Sequence, residues 1–352
     1  MTDRGRIKNQ PKPKTPRPTL LGCLIVALVA LSGCGGDSDG ATRETLPAVG
    51  VDSHLDDLPL GERRAELVRL AAMGASWVRA GAPWYALQPE PGTLDPAALS
   101  ALRQLVQDAA SLGLNVLIIG DQAPDWAGGG DHTASNPQAY GAFMGQLAQE
   151  LQGLGPGGSS LAYELMNEPN GLIRATWAEP VEYAQSSCAA YRAIKDADPA
   201  ATVLAGSLDV SEWQDWLRTS LQAGLADCFD ALSAHPYAGM AVLDEVRAVA
   251  AWAGRPNLEI WVTEFGESTC GDPELYCVSE PEQAAKLVAS LRELGNAYPY
   301  VPVAIIYEAR DEPDAPGPAS QAHFGLFRAA GAGEEPTPKP AVAAIRKLYL
   351  GN

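Results

Sequence analysis

From Leu46 to its end, the chain alternates between two hydrophobic patterns. Short apolar runs of strand length are separated by longer segments in which apolar residues recur at i, i+3 and i+4, the spacing of a helix with one buried face. The strand-like runs are Pro47–Val51, Trp77–Gly81, Asn115–Ile119, Ala162–Met166, Thr202–Ala205, Ala231–Ala234, Ile260–Thr263 and Val303–Tyr307. The helix-like segments are Gly61–Met73, Pro96–Leu112, Pro137–Leu151, Val181–Lys195, Glu212–Leu225, Leu243–Trp252, Glu282–Leu294 and Ala341–Leu350.

Eight strand patterns in alternation with eight helix patterns predict an α/β fold, a single (β/α)8 TIM barrel. Such a barrel takes ~250 residues plus insertions, which the alternating part of the chain can supply. A doubly wound open sheet alternates in the same way, but it normally carries a glycine-rich phosphate turn after its first strand. The residues at that point, 49–54 (VGVDSH), do not form such a turn.

The N-terminal segment differs from the rest of the chain. Residues 1–19 are basic and proline-rich, and an uncharged apolar run from Leu20 to Leu31 follows them. That run has the length of a signal peptide and is too short to cross a bilayer. It ends in residues 31–34 (LSGC), which resemble the lipobox of bacterial lipoproteins and imply cleavage before Cys34 and a lipid on its thiol. A plain secretory signal is the alternative.

We therefore predict three parts: a lipoprotein-type signal peptide at 1–34, a flexible tether at 35–45, and the barrel at 46–352. Either kind of signal places the barrel outside the cytoplasm, secreted or attached to the bacterial cell envelope through the lipid. The chain has 43 acidic and 25 basic residues and a formal charge of −18. Such a surface repels nucleic acids and anionic polymers, so no nucleic acid partner is expected.

Six cysteines reduce to four once Cys23 and Cys34 are assigned to the signal region. Cys270 and Cys277 bracket a short loop, and in an oxidising compartment they are expected to pair. Cys188 and Cys228 then remain, either as a second disulfide or as two buried free thiols. The sequence has no CxxC motif and no histidine pair at ligand spacing, so we expect no metal and no cofactor.

Two strand-like runs end at a glutamate. Residues 163–170 (YELMNEPN) stop at Glu168, because the proline that follows cannot donate to a sheet ladder. Residues 258–266 (LEIWVTEFG) stop in the same way at Glu264. An unpaired charge at the end of a buried strand is costly, so each carboxylate is either solvated at a rim or held there for chemistry. Two carboxylates in such positions suggest the acid pair of glycoside hydrolysis.

In a TIM barrel, function lies at the carboxyl ends of the strands and in the loops after them. All four histidines follow predicted strands: His54, His132, His235 and His323. Three tryptophans do the same, namely Trp84, Trp126 and Trp177. Aromatic faces at a rim can stack on sugar rings, and packing inside the loops is the equally weighted alternative. Trp213 and Trp216 lie three residues apart on a predicted helix, which favours core packing.

The two glutamate segments resemble the catalytic segments of clan A glycoside hydrolases, retaining barrel enzymes that include the cellulase-like family 5 and the xylosidase-like family 39. Three other segments also match: residues 77–79 (WVR), 233–237 (SAHPY) and 323–327 (HFGLF) followed by Lys339-Pro340. The resemblance covers nearly all of the chain after the signal region. Its most specific element is the ordered combination of Glu168 on strand 4 with Glu264 on strand 7.

The resemblance implies that Glu168 is the general acid/base and Glu264 the nucleophile of a retaining β-glycosidase. Arg79 and Tyr237 would then favour the charged form of Glu264, as a nearby cation or hydrogen-bond donor does. Asn167 would bind the sugar 2-hydroxyl, and His235 would line the pocket. Together with Trp84, Trp126 and Tyr307, these residues form the predicted substrate site.

The pattern departs from the clan at strand 8, where many members carry a tryptophan under the sugar. Tyr307 stands there instead and can serve as the platform, with Glu308 in reach of sugar hydroxyls. Glu164 shares a strand face with Glu168, which predicts a buried structural acid paired with Arg79 or a histidine. The same alternation places Asn167 on the opposite face, so both residues can reach the pocket only if the strand bulges at its end.

The leading hypothesis is an exported retaining β-glycosidase that acts on a neutral oligo- or polysaccharide, with endo and exo action both open. The alternative is a surface-anchored barrel that binds glycans without turnover. A metal-dependent barrel hydrolase is a third possibility that no ligand pair in the sequence supports.

Overall fold

Eight parallel strands pair in sequence order and close into a barrel, with β8 against β1. They are β1 (Ala48–Asp52), β2 (Trp77–Gly81), β3 (Asn115–Gly120), β4 (Ala162–Leu165), β5 (Thr202–Asp209), β6 (Ala231–His235), β7 (Ile260–Phe265) and β8 (Val303–Ile306). The computed structural model describes residues 45–128, 136–171, 179–209, 213–270, 277–313, 319–331 and 334–351, and Glu44–Asn352 forms one compact unit. The predicted (β/α)8 barrel is confirmed.

The helices of the described ranges cover the outside of the barrel. They are α1 (Leu60–Ala72), α2 (Trp84–Leu87), α3 (Pro96–Ser111), α4 (Pro137–Leu151), α5 (Pro180–Ala197), α6 (Gln214–Gln222), α7 (Val242–Trp252), α8 (Glu280–Ala297) and α9 (Pro340–Leu350). Local chemistry sets several of their starts, since Asp95 and Asn136 cap α3 and α4. Ser279 and Glu282 form a capping box at α8. None of these helices has the length and hydropathy needed to cross a membrane.

The predicted signal peptide 1–34, its lipidation candidate Cys34 and the tether up to residue 44 lie outside the described residues. His132 and Trp177 also lie outside them, in ranges 129–135 and 172–178.

An apolar layer fills the amino-terminal half of the barrel interior. It consists of Leu117, Ala162, Leu204, Ala231, Trp261, Val303 and Ile305, with Ala48 and Trp77 packed against it. The Trp77 and Trp261 rings meet edge to face at 4.9 Å. Because this layer closes the lower barrel, polar side chains of the strands gather at the carboxyl ends above it.

Two strands are irregular where they approach that upper end. The register between β5 and β6 shifts between Ala205 and Leu208, and Gly206 and Ser207 both have positive φ there. The predicted strand ends at Ala205, but the chain bulges there and continues its pairing to Asp209. A second register shift lies between Val262 and Phe265 of β7, around Glu264.

Two disulfides fasten the outside of the barrel. Cys188 of α5 is bonded to Cys228, which follows α6, so two neighbouring helical segments are joined. Cys270 is bonded to Cys277, which closes the loop after β7. These are the two pairs that the sequence analysis named as candidates.

Candidate active site

Arg79 of β2 is the centre of a cluster of polar side chains that lies above the apolar layer of the barrel interior. Its guanidinium donates from Nε to Glu164 Oε2 at 2.6 Å and from Nη1 to Glu264 Oε1 at 2.8 Å. Nη1 also bonds Asp52 Oδ2, and Nη2 donates to Asn167 Oδ1 at 2.7 Å. One buried side chain therefore contacts residues from β1, β4, the loop after β4, and β7 at once.

Three carboxyl groups contact the single guanidinium of Arg79. Burial opposes the charge of Arg79, but Glu164, Asp52 and Glu264 hold its pKa well above the usual value. Burial would also raise the pKa of Glu164, yet Arg79 and His235 outweigh it and lower that pKa. At Asp52 burial wins over Arg79 and raises the pKa. Glu164 is thus the permanent counter-ion of Arg79, in agreement with its predicted role as a buried structural acid.

Glu168 and Glu264 meet across the barrel mouth on either side of His235. His235 Nδ1 lies 2.8 Å from Glu168 Oε1 and 3.5 Å from Glu264 Oε2. One oxygen of each carboxylate and the ring nitrogen all lie within 4.8 Å of one another. The Glu168 side chain is 24% exposed and that of Glu264 is 8% exposed. One carboxylate therefore faces the open mouth while the other is enclosed.

The two carboxylates differ in their partners. Glu264 accepts from Arg79 and, at its other oxygen, from the Tyr237 hydroxyl at 3.0 Å. Both of its oxygens are therefore held in place by hydrogen-bond donors. Burial opposes a charged imidazole at His235, but Glu264 and Glu168 outweigh that effect and raise its pKa. His235 is therefore disposed to hold a proton between the two carboxylates.

An irregular backbone brings Asn167 and Glu168 into the same mouth. β4 ends at Leu165, and the next residues leave the extended region, with φ of 66° at Met166 and 42° at Glu168. Positive φ is unfavourable for residues with a Cβ and persists only where the surroundings enforce it. Strict alternation would have sent the two side chains to opposite faces, as the sequence analysis noted. The kinked strand end removes that conflict.

Trp84 does not belong to the site, contrary to the prediction. It is fully buried, its ring stacks on Phe143 at 5.1 Å, and its Nε1 donates to Gln88. The short helix α2 turns Trp84 inward and leaves Tyr85 55% exposed. A tryptophan with no open face cannot stack on a sugar.

Trp126 lies beside a surface cavity of about 570 Å³, whose wall also includes Tyr85, Gln122 and Asp125. It is half-buried, and its Nε1 donates to the Gln88 carbonyl at 3.0 Å. The Trp84 ring supports it from behind, edge to face at 5.5 Å. The exposed aromatic surface after β2 and β3 is therefore made by Tyr85 and Trp126.

Tyr307 stands directly after β8 and is half-buried. Its ring contacts Phe324 at 5.5 Å and His54 at 6.2 Å, both edge-on. Phe324 also meets Tyr237 at 6.0 Å, so an aromatic wall connects the loops after β6 and β8. The backbone carbonyl of His323 accepts hydrogen bonds from the Thr269 hydroxyl at 3.1 Å and from Lys339 Nζ at 3.2 Å.

Some contributors have only weak sequence signals. Asp52 is the last residue of β1, and it is a carboxylate at the end of an apolar run, as Glu264 is. The criterion that identified the two glutamates could therefore have identified Asp52 as well. Ser207 donates to Asn167 Oδ1 at 3.3 Å and lies 3.2 Å from His235 Nε2, but it falls beyond the predicted strand, which ends at Ala205. Thr263 donates to Glu164 at 2.7 Å and was read only as part of a strand.

Two groups in the described part of the chain bring three possible metal ligands within 4.8 Å. One is Glu168, His235 and Glu264, whose atoms already form the contacts given above. The other is His54, Glu308 and Glu312, on the β1 and β8 side of the mouth. Their nitrogen and carboxylate donors are of the kind that zinc accepts.

A family model for cellulase (glycosyl hydrolase family 5) matches residues 61–300, which include Arg79, Glu168, His235 and Glu264. The chain belongs to glycosyl hydrolase family 5. The match ends before β8, so it does not include Tyr307 or Glu308. The predicted resemblance to clan A glycoside hydrolases is confirmed, and family membership supports glycosidase activity. A comparison with the sequences of curated proteins finds no match to the chain.

Solved structures of low identity share the fold. A family 39 glycoside hydrolase from Bacteroides cellulosilyticus WH2 has a TM-score of 0.66 at 20% identity, over 87% of this chain and 64% of that one. GH5_18 from Streptomyces cattleya, in complex with GlcNAc, has a TM-score of 0.66 at 19% identity, over 87% and 80%. The exo-β-1,4-mannosidase Op5Man5 from Opitutaceae bacterium strain TAV5 has 0.63 at 17% identity, over 90% and 62%. The chain thus spans 64% of the length of the first of these relatives.

Proposed function

We propose that this family 5 protein is a retaining β-glycosidase that cleaves a neutral glycan by double displacement. The proposal is carried by the close approach of the two carboxylates, which bring one oxygen each within 4.8 Å. Retaining glycosidases have carboxyl groups about 5–5.5 Å apart, whereas inverting enzymes leave about 6.5–9.5 Å for a water molecule. The spacing at the barrel mouth favours the first class.

In the first step, the Glu264 carboxylate attacks the anomeric carbon of the bound sugar. The bond from that carbon to the leaving oxygen breaks, and Glu168 gives its proton to that oxygen. Glu264 suits the nucleophile because Arg79 and Tyr237 donate to its two oxygens and fix its orientation. Glu168 suits the acid because its exposed carboxyl group can reach a leaving group at the open mouth.

In the second step, Glu168 takes a proton from water, and the water oxygen attacks the anomeric carbon and releases Glu264. His235, in contact with both carboxylates, can share the proton that Glu168 loses and regains. Asn167 receives hydrogen bonds at Oδ1 from Arg79 and Ser207. Its amide NH2 is thereby left to bind the sugar 2-hydroxyl, a contact that strengthens in the transition state.

The substrate belongs to the same proposal. Tyr307 would lie under the sugar beside the catalytic pair, and Trp126 would contact a more distant unit of an oligosaccharide. The acidic surface disfavours anionic polysaccharides. Since the solved relatives include an exo-β-1,4-mannosidase and a GH5_18 complexed with Manβ1-4GlcNAc, β-mannosides belong in the first set of test substrates.

We also propose that residues 1–34 are a lipoprotein signal, that Cys34 carries the lipid, and that 35–45 tether a catalytic barrel at 46–352 to the membrane. The two disulfides support an extracytoplasmic location, because such bonds persist in oxidising compartments. Mass spectrometry of the membrane fraction would detect the lipid on Cys34, and Cys34→Ser should release the protein.

Hydrolysis of a panel of aryl β-glycosides and β-linked polysaccharides tests the activity. We expect the β-anomer of the sugar to appear first in a proton NMR time course. Glu168→Ala should lose more than ~100-fold in kcat/KM on a poor leaving group and much less on dinitrophenol, which needs no proton. Glu62→Ala, an exposed substitution on α1, is the control. Binding without hydrolysis by the wild type would support a glycan-binding barrel instead, and the α-anomer first would mean inversion.

A further inference from the structure

A second polar cluster lies at the barrel mouth on the side of β1 and β8. It consists of His54, Glu308 and Glu312. His54 Nδ1 lies 2.7 Å from Glu312 Oε1 and 3.5 Å from Glu308 Oε2. The His54 and Glu312 side chains are 34% and 30% exposed, whereas that of Glu308 is 2% exposed. The pair His54–Glu312 thus faces solvent, with Glu308 beneath it.

The backbone fixes Glu308 between the two strands that flank β8. The amide of Tyr307 donates to the Phe265 carbonyl at 2.9 Å, one residue beyond Glu264. The amide of Ala309 donates to the Asp52 carbonyl at 2.9 Å. Asp52 and Glu264 in turn bond the same Arg79 nitrogen. Glu308 is therefore held next to the Arg79 network that positions the carboxylate of Glu264.

One oxygen of this carboxyl group lacks a partner. Glu308 Oε1 is buried and accepts no hydrogen bond from any residue that the structure describes. Buried polar atoms are nearly always satisfied, and each exception requires an explanation. A structural ion pair would use both oxygens of Glu308, but His54 is directed to Glu312. The free oxygen instead suits a group that arrives with a ligand.

Charge decides which kind of ligand fits. Burial and the neighbouring Glu312, Asp52 and Glu264 outweigh His54 and raise the pKa of Glu308 to about 9. Burial opposes a charged His54, but the bond to Glu312 and the charge of Asp52 raise its pKa to about 10. Near neutral pH the cluster therefore holds a charged His54 beside a neutral Glu308. A protonated carboxyl group has one donor and free acceptor sites, which match a hydroxyl group.

We propose that Glu308 is a specificity-determining residue whose carboxyl group hydrogen-bonds a hydroxyl of the sugar held beside Glu264. This contact rests on the proposed glycosidase function, and it identifies a sugar hydroxyl group that the enzyme recognises. His54 and Glu312 pair with each other at the edge of this subsite, while burial and the neighbouring Glu312 keep Glu308 in its neutral form. The family model ends before Glu308, so this subsite belongs to the part of the chain that the match does not cover.

The test combines enzyme variants with monodeoxy analogues of a glycoside that the wild type cleaves. We expect one analogue to lose about 10- to 100-fold in kcat/KM with the wild type, the range of a hydrogen bond to a buried group. Glu308→Ala should lose a similar factor on the parent glycoside and little more on that one analogue, because both changes remove the same contact. Glu308→Gln, which retains a donor and an acceptor, should recover much of the loss.

Two results would overturn the proposal. The first is an equal loss for Glu308→Ala on the parent and on every analogue, in a variant whose Tm matches that of the wild type. The second is activity that dialysis against EDTA removes and zinc restores, with Glu308→Gln as weak as Glu308→Ala, since this marks a metal site. Glu62→Ala serves again as the control.

Calorimetry separates this inference from the proposed function. The same variants are titrated with non-cleavable thioglycosides of the parent and deoxy sugars. A wild type that binds them without hydrolysing any glycoside would contradict the proposed function, and the loss of affinity would still report on Glu308. If the wild type binds every deoxy thioglycoside as tightly as the parent thioglycoside, the Glu308 contact alone is contradicted.

Discussion

Arg79 sets both the charge and the direction of the groups around the proposed reaction centre. It donates to Glu264 and to Asn167, and it is itself fixed by Glu164 from below. A guanidinium can do this because its donors form a rigid planar fork, which a lysine ammonium cannot reproduce. The nucleophile and the residue proposed to bind the 2-hydroxyl are therefore aligned by one side chain.

At the same scale, Glu308 should make stability depend on pH. Its folded pKa of about 9 exceeds its ordinary value of 4.5, so the stability that it contributes is fully present below about pH 4.5 and is lost as pH rises towards 9. His54 adds a loss of the same sign between its ordinary value of 6.5 and about 10. We expect the Tm of the wild type, relative to Glu308→Gln, to fall as pH rises from about 5 to 9.

Scanning calorimetry of the two proteins across this pH range measures that difference. The comparison cancels the general effect of the acidic surface, which both proteins share. A difference in Tm that stays constant with pH would mean that Glu308 titrates at its ordinary value in the folded protein.

At the scale of elements, irregular strand ends create the site. The kink after β4 turns consecutive side chains into one mouth, and the register shift in β7 lets Thr263 contact Glu164 while Glu264 contacts Arg79. Regular alternation would have given the mouth only every second residue. The irregularities are therefore part of the functional design of these two strands.

A buried lysine joins the loops after β7 and β8 to the segment before α9. Lys339 Nζ donates to Thr269 Oγ1 at 2.8 Å, to Asp311 Oδ1 at 2.6 Å and to the His323 carbonyl at 3.2 Å. Lys339→Met leaves the Asp311 carboxyl group without its cation, so we expect the free energy of unfolding to fall by about 3 kcal/mol.

Urea denaturation measures this loss, and Lys286→Met is the matched control. Lys286 also pairs with a glutamate, Glu267, at 2.9 Å, but it is 53% exposed. Removal of an exposed pair should cost less than about 1 kcal/mol. Equal losses for the two variants would contradict the role of Lys339 as a buried anchor.

At the scale of the whole molecule, the fold was predictable because hydrophobic periodicity alone distinguishes the strands from the helices. Glu168 and Glu264 were identifiable for a related reason, since each stands at the end of an apolar run. The inward turn of Trp84 was not predictable, because a short helix in a loop decides which of two adjacent aromatic residues is buried. Contacts between the segments that follow β1 and β8 were not predictable either, since His54 and Glu312 are 258 residues apart in the sequence.

The most direct test of the account is covalent trapping of the proposed glycosyl-enzyme intermediate. The wild type is treated with the activated 2-deoxy-2-fluoro glycoside of the sugar that the substrate panel identifies, then digested and mapped by mass spectrometry. We predict one adduct, on the peptide that contains Glu264 and at that residue, and none in Glu264→Ala. An adduct on another residue, or hydrolysis that proceeds without any adduct and with inversion at the anomeric carbon, would contradict the assignment of Glu264 as nucleophile.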